Sequence, residues 1–387
     1  MKKLFVFAGE TSGDLHGEKV ISHLKKLCPT LHVEGVAGPK LRNLGIKGPY
    51  KMEEFQVMGF SDVIFNFRDL YKKFYSVFDH ILKTNPDGCL LIDYPGFNLR
   101  LAKKLREKGY KGKLIHFICP SVWAWGKSRI DLMAQNLDLL LTIYPFEAAY
   151  FAKTPLKVQY IGNPLVETID AFSPKPHFRE QAQLPEGKPL IALFPGSRKG
   201  EIERNLLTQL KALSIVKEKL PNHKIALSVV SPKLQKVISD QIQKSDLKLN
   251  SDLFLVPSCF NYELMQEASI ALAKSGTITL ELALFKKPTV VVYGLTALNR
   301  FIAQYLLKLK LPFYCIVNIL NQKQVFPELI EKGFDAETCA NSILELETNN
   351  VKRKEVIDGC TSVREKLGTF TSGQVAAEAI YETLQKS

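Results

Sequence analysis

Short apolar runs of strand length recur along the chain, separated by amphipathic stretches of helical period. Leu4–Ala8, Cys89–Ile92, Leu114–Ile118, Leu139–Ile143 and Val158–Ile161 form a first series, bounded by Gly, Pro or Asp. A run that is apolar at consecutive positions has no solvent face and belongs in a parallel sheet covered on both sides. Gly17–Leu27 and Leu99–Lys108 intervene as amphipathic helices, and this β-α-β-α alternation predicts a doubly wound sheet. A second series follows at Leu190–Phe194, Ile225–Val230, Leu253–Val256, Ile270–Ala273 and Thr289–Val292, with helical patterns such as Ile202–Lys219 between the runs. Between the series, Phe172-Ser173-Pro174-Lys175-Pro176-His177 and Leu184-Pro185-Glu186-Gly187 have the composition of an interdomain connection. The predicted fold class is therefore α/β, with two Rossmann-like domains at residues 1–170 and 171–387. The helices from Ala336 onward are free to pack back on the first domain. Two such domains facing a central cleft would turn their strand-to-helix loops toward it, where ligands of this class bind.

A chain of 387 residues is long for one core and suits two. The 52 Lys and Arg against 39 Asp and Glu give a formal charge of +13, which attracts nucleotides, phosphorylated lipids, acidic membranes or nucleic acid. The basic residues are dispersed, and no zinc spacing or basic arm accompanies them, which weighs against a nucleic-acid reader. Seven scattered cysteines without a C-x-x-C pair fit a reduced cytoplasm. Leu4 to Ala8 is too short for a signal-peptide core, and no uncharged stretch approaches the ~18–20 residues of a spanning helix, so any membrane contact is expected to be peripheral.

The expected chemistry lies at strand ends. Gly9-Glu10-Thr11-Ser12-Gly13-Asp14 follows the first strand and opens a helix; its hydroxyls and N–H groups suit an anion or sugar, or Ser12 or Asp14 simply caps the helix. Asp93 ends a buried run, as a general base for an attacking hydroxyl or as a cap. Cys119-Pro120-Ser121-Val122-Trp123-Ala124-Trp125-Gly126-Lys127 holds both tryptophans, whose faces suit sugar rings or acyl chains, or the core. In the second half, Gly196-Ser197-Arg198 presents a turn and a guanidinium for a diphosphate, or a capped helix with a solvated Arg. Ser275-Gly276-Thr277 precedes a helix carrying Glu281 on its expected second turn, as a ribose ligand or a solvated Glu. Neither the dinucleotide fingerprint nor the Walker spacing is present. Val63, Phe67, Leu70 and Phe74 share one helical face beside Arg68, Lys72 and Lys73, for a bilayer interface or for the core; Phe301–Lys310 is similar.

Taken together, Gly9–Asp14, Ala37-Gly38-Pro39, Met52-Glu53-Glu54 with Val57-Met58-Gly59, Ile92-Asp93, Pro120–Trp125, Pro195–Arg198 and Ser275–Thr277 with Glu281 resemble the lipid-A-disaccharide synthases, family 19 glycosyltransferases, over nearly the whole chain. The Pro-Ser-Val-Trp-Ala-Trp string and the Ala-Gly-Glu-Thr-Ser-Gly-Asp start are specific to that family; the Ser-Gly-Thr helix is shared more widely among GT-B enzymes. The resemblance implies a GT-B fold and an acceptor-binding first domain with a membrane-facing helix. It implies a UDP-sugar-binding second domain and an inverting, metal-free transfer. UDP-2,3-diacylglucosamine and 2,3-diacylglucosamine 1-phosphate (lipid X) would give a β-1,6 disaccharide and UDP. It assigns Asp93 as base, and Glu10, also counted as catalytic, with Thr11 and Ser12 to the acceptor side. Ser197, Arg198, Ser275, Gly276, Thr277 and Glu281 go to the donor; Trp123, Trp125 and Asn318 become further substrate contacts. No cofactor, metal or nucleic acid is expected. Contact with inner-membrane lipid on the cytoplasmic face is, and a homodimer is compatible with the resemblance.

Two departures stand out. Tyr94-Pro95-Gly96 follows Asp93 where the family form has a second acid, and Gly162-Asn163-Pro164 stands in place of Gly-His-Pro, removing a His-based role at 163. The rivals are a UDP-sugar epimerase or peptidoglycan-type transferase of the same fold, and a non-catalytic lipid or nucleic-acid binder.

Overall fold

The computed structural model describes residues 2–55, 67–123, 126, 128–294 and 312–385. Its first strand, β1 (Lys3–Ala8), sends Leu4, Val6 and Ala8 to one face and Phe5 and Phe7 to the other, and all five are fully buried. Such a strand has no wet side, so helices must cover both faces of its sheet. Helix Thr11–Leu27 supplies Val20, Ile21 and Leu24 to the first face, and the C-terminal helix Ser372–Gln385 adds Ala376, Ala377 and Ile380. Helices Phe67–Thr84 and Pro95–Glu107 supply Val77, Ile81, Phe97 and Leu101 to the second.

The chain divides into two compact units, residues 1–167 with 369–387, and residues 168–368. The first holds β1, β2 (His32–Val36), β3 (Gly88–Ile92), β4 (Lys113–Phe117), β5 (Leu139–Thr142) and β6 (Lys157–Tyr160) in the order β2-β1-β3-β4-β5-β6. The second holds β7 (Leu190–Phe194), β8 (Lys224–Val229), β9 (Leu253–Pro257), β10 (Ile270–Lys274), β11 (Thr289–Tyr293) and β12 (Glu328–Ile330) in the order β12-β11-β10-β7-β8-β9. The described strand pairs are parallel. In each sheet the winding reverses beside its first strand, between β1 and β3 and between β7 and β10. Helices leaving two such neighbours go to opposite faces, and a crevice opens at the strands' carboxyl ends.

Local contacts correct several expectations. Helix Thr11–Leu27 begins at Thr11 with no side-chain cap from Ser12 or Asp14. Asp14 is buried and reaches across to helix Pro39–Asn43, accepting the N–H groups of Gly38 (2.9 Å), Lys40 (2.8 Å) and Leu41 (3.1 Å). Gly38 is needed there, because a Cβ would stand 2.4 Å from the Asp14 carboxylate. Gly9 and Gly13 do not make a left-handed turn; the close approach of this helix to β3 falls at Gly17, where a Cβ would lie 3.0 Å from Ile92. Leu70 and Phe74, read as facing either lipid or the core, are half-buried beside the aromatic core, with the Phe74 ring 5.1 Å from that of Phe97. Val63, the Phe67 side chain and Phe301–Lys310 lie outside the described residues. No described helix is long and apolar enough to cross a membrane.

Asp14 alone satisfies three N–H groups of a helix start, so Asp14→Ala is expected to destabilise the protein by about 3 kcal/mol or more in urea unfolding. Asp14→Asn keeps one acceptor oxygen and is expected to lose less; equal stability of Ala and wild type would refute the cap.

Candidate functional site

Register sets the first constellation. Ala8 of β1 pairs with Ile92 of β3, so the chain leaves both strands at one level, and Glu10 and Asp93 emerge as neighbours. The exit from β3 is strained: Asp93 (φ 48) and Tyr94 (φ 46) are consecutive left-handed residues that are not glycine. Each costs about 1–3 kcal/mol and persists only where the surroundings hold it. Here the Asp93 N–H donates to the Phe117 carbonyl (2.8 Å), Asn98 Nδ2 donates to the Asp93 carbonyl (2.7 Å), and the Tyr94 hydroxyl donates to the Phe55 carbonyl (3.2 Å). Pro95 then starts helix Pro95–Glu107 at once. Asp93 does not cap that helix; Tyr94 occupies the cap position, without a side-chain bond. Burial, and then the Glu10 charge, push the Asp93 carboxyl above its ordinary range, only partly opposed by the Tyr94 N–H. Thr11, Ser12 and Glu10 are exposed beside it.

β4, the neighbour of β3, is followed by a further left-handed residue, Ile118 (φ 75), whose N–H donates to the Leu141 carbonyl. The loop beyond carries Trp123, half-buried and edge-on to Phe146 (5.9 Å); Trp125 lies outside the described residues. Beneath it sits a group that the sequence reading missed. Glu147 is buried, accepts the N–H groups of Ile143 (3.2 Å) and Tyr144 (3.1 Å), and has the Trp123 N–H close by but outside hydrogen-bond geometry. Desolvation outweighs these donors and raises its carboxyl to about 8.

The second constellation stands at the β7/β10 reversal, where Ala273 pairs with Phe194. Gly196 (φ 118) turns the chain, and Arg198 holds the cap position of helix Lys199–Lys219 without a side-chain cap. Glu201, on the first turn, accepts the Ser197 N–H (3.1 Å) and the Lys274 ammonium (3.0 Å), tying the two strand exits together. Burial opposes its charge, but Lys274 and Ser197 prevail and hold it below the ordinary carboxylate range. Lys274 is thereby neutralised, whereas Arg198 is exposed and makes no salt bridge among the described residues. A pocket of ≈ 340 Å³ opens here, lined by Ser197, Arg198, Ser275, Gly276, Thr277 and Glu281, with Ser228 and Asn261 opposite.

Glu281 lies on the first turn of helix Ile278–Leu284, one turn earlier than expected, and accepts a hydrogen bond from the Tyr262 hydroxyl (3.2 Å). Burial raises its carboxyl, and Tyr262 opposes the rise. Asn318 is not a pocket residue. It is fully buried, donating to the Phe326 carbonyl (2.8 Å) and Glu328 (2.7 Å) and accepting the N–H groups of Val325 and Phe326 (both 2.8 Å), so its amide is spent on the turn before β12. Asn163, also buried, accepts the Leu165 N–H (3.0 Å) at the start of helix Pro164–Asp170. Among the described residues, no group of three or more His, Cys, Asp or Glu side chains is arranged to hold a metal ion.

A family model described as lipid-A-disaccharide synthetase matches residues 4–380. The lipid-A-disaccharide synthase of Chlamydia trachomatis serovar D is 39% identical over 382 residues, covering 98% of this chain and 62% of that protein. The chain thus spans less than two thirds of the length of its chlamydial relatives. The protein of the same name from Geobacter metallireducens is 31% identical over 386 residues, covering 100% of this chain and 98% of that one. Among solved structures, a putative UDP-N-acetylglucosamine 2-epimerase from Listeria monocytogenes aligns with a TM-score of 0.66 at 12% identity, covering 98% and 94% of the two chains. The UDP-GlcNAc 2-epimerase from Neisseria meningitidis bound to UDP-GlcNAc aligns at 0.63 and 16% identity, covering all of both. At such identities the structural likeness establishes the GT-B fold alone.

Glu147 provides a stability test. Its carboxyl is raised from an unfolded value of ~4.3 to about 8, so its stabilising contribution is complete below the unfolded value and is lost as pH climbs through 8. Glu147→Gln removes this term. Urea unfolding is expected to show the variant gaining on wild type by a few kcal/mol between pH 5 and 9, and parallel stability curves would refute it.

Proposed function

We propose, since this chain belongs to the lipid-A-disaccharide synthetase family, that it joins two acylated glucosamines into the lipid A disaccharide. The donor is UDP-2,3-diacylglucosamine and the acceptor 2,3-diacylglucosamine 1-phosphate. The observation that carries the mechanism is the half-buried Asp93 at the β1/β3 reversal, raised by burial and by Glu10.

The acceptor hydroxyl attacks the donor's anomeric carbon and forms the new C–O bond. The bond from that carbon to the diphosphate breaks on the opposite face, inverting the centre. The hydroxyl proton passes to the Asp93 carboxylate, and the bond electrons leave with UDP. A carboxylate of raised basicity suits this step, because general-base efficiency grows as the base approaches the operating pH. Glu10 keeps that basicity high, with Thr11 and Ser12 at hand for sugar hydroxyls. Charge developing on the departing diphosphate is met by Arg198 and by the turns at Ser197 and Ser275–Thr277; Glu281 accepts from the ribose diol. No metal is called for. Trp123 belongs to the acceptor side through the β4 loop. The +13 charge favours a peripheral position on anionic lipid at the cytoplasmic face of the inner membrane.

Incubating the purified chain with both substrates in detergent is expected to release UDP in step with disaccharide. Turnover of UDP-N-acetylglucosamine alone would instead favour an epimerase. Asp93→Asn is expected to lower kcat by about 10²–10⁴ without changing the donor KM, and normal turnover by that variant would sink the assignment. Since Asp93 must be ionised to accept the proton, kcat is expected to fall with falling pH along a limb lying above the ordinary carboxylate value of ~3.9.

A further inference from the structure

Tyr94, the residue after Asp93, also lines a larger cavity of ≈ 580 Å³ in the first unit. Helices Phe67–Thr84 and Pro95–Glu107 form its sides. Phe74, Tyr75, Tyr94 and Phe97 give it aromatic walls, and the contacts of Phe97 with Phe7 (4.5 Å) and Phe74 (5.1 Å) brace the floor against collapse. These walls are side chains with no strand edge among them, so they suit a hydrocarbon chain better than a peptide needing backbone partners.

The rim carries charge. Arg100, Lys103 and Lys104 line the cavity from one face of helix Pro95–Glu107, at i+4, i+7 and i+8 from Gly96. Glu107 pairs with Lys103 (3.7 Å). Lys104 donates to the Tyr75 hydroxyl (2.8 Å) and lies 4.5 Å above its ring, and neither it nor Arg100 makes a salt bridge among the described residues. The rim therefore attracts an anion beside an apolar groove. From Gly96 to Glu107 the helix rises about 16 Å, at ~1.5 Å per residue, away from the Asp93 end.

We propose that this groove receives an acyl chain of the phosphorylated acyl-sugar acceptor, with Arg100 and Lys104 drawing in its phosphate. The inference rests on the acceptor identity given above and adds where its chain and charge are held. A ligand seated here has its sugar at Tyr94, next to the base. Substrate, and not bilayer lipid, is the occupant that this adjacency favours.

Gly96 allows a direct test. It lines the groove, and a Cβ built on it meets nothing within 4 Å, so Gly96→Leu adds bulk at the groove with room for its Cβ. This variant is expected to raise KM for a long-chain acceptor at least about tenfold, leaving KM for the donor and for a short-chain acceptor unchanged. Arg100→Gln, at an exposed position, is expected to raise KM for the phosphorylated acceptor and flatten its salt dependence. Unchanged acceptor KM in both variants, or equal losses for long and short chains, overturns the proposal. So does a Gly96→Leu variant that binds anionic phospholipid vesicles more weakly but keeps its acceptor KM in detergent. Equilibrium binding of fluorescent diacylglucosamine 1-phosphate needs no turnover. Binding to wild type with at least about tenfold loss in Gly96→Leu supports the groove even if no disaccharide forms, in which case only the reaction assignment fails; equal binding by both overturns it.

Discussion

A strand covered on both faces can show polar groups only at its ends. That constraint governs both units. β1, β3, β7 and β10 are apolar almost throughout, and each is flanked on both sides by a parallel strand. Chemistry is thereby confined to the residues after the last pleat. Reversal of the winding beside β1 and beside β7 keeps those ends uncovered, because successive helices depart to opposite sides. The first reversal gathers Glu10 and Asp93, and the second gathers Arg198, Ser275–Thr277 and Glu281.

The two sites use their surroundings in opposite ways. Around Asp93, three left-handed residues, Asp93, Tyr94 and Ile118, hold the strand exits in a geometry that the backbone resists, and bonds to Phe117, Asn98, Phe55 and Leu141 maintain it. The exposed Glu10 carboxylate stands beside the half-buried Asp93, and its charge adds to burial in raising the basicity of Asp93. Around Arg198 the acid and base are paired off: Glu201 takes Lys274, leaving the Arg198 guanidinium as a cation of the pocket without a salt bridge among the described residues. One site favours receiving a proton, the other an anion.

The interior strands were legible because each is a mainly apolar run, interrupted at most by single buried polar residues such as His116 in β4 and Ser228 in β8, and the motif loops were legible because they follow those runs directly. β2 and β12 escaped for the converse reason. His32–Val36 includes His32, Glu34 and Gly35, and Glu328–Ile330 has only three residues; both sit at sheet edges, where half the burial is missing. Asp14 and Asn318 carried polar side chains of the kind ligands use, yet the fold spends Asp14 on N–H groups of a distant helix start and Asn318 on the N–H groups of the turn before β12, which local spacing does not reveal. The Tyr262–Glu281 bond and the burial of Glu147 are likewise tertiary facts. Glu201 left a readable trace as a Glu on the first turn of its helix, a position that commonly reaches back to the preceding N–H groups. Phe74 followed the helical period correctly, but that period does not say whether the apolar face meets lipid or Phe97.

Proximity of the two first-unit carboxylates is the claim from which the mechanism follows, and it is open to direct titration. Following the Asp93 side-chain carbon by 13C NMR across the acid range, in wild type and in Glu10→Gln, reads it without any substrate. The account predicts an Asp93 midpoint above the ordinary ~3.9 that moves down when Glu10 loses its charge. A midpoint at or below the ordinary value, or one indifferent to Glu10, would contradict it.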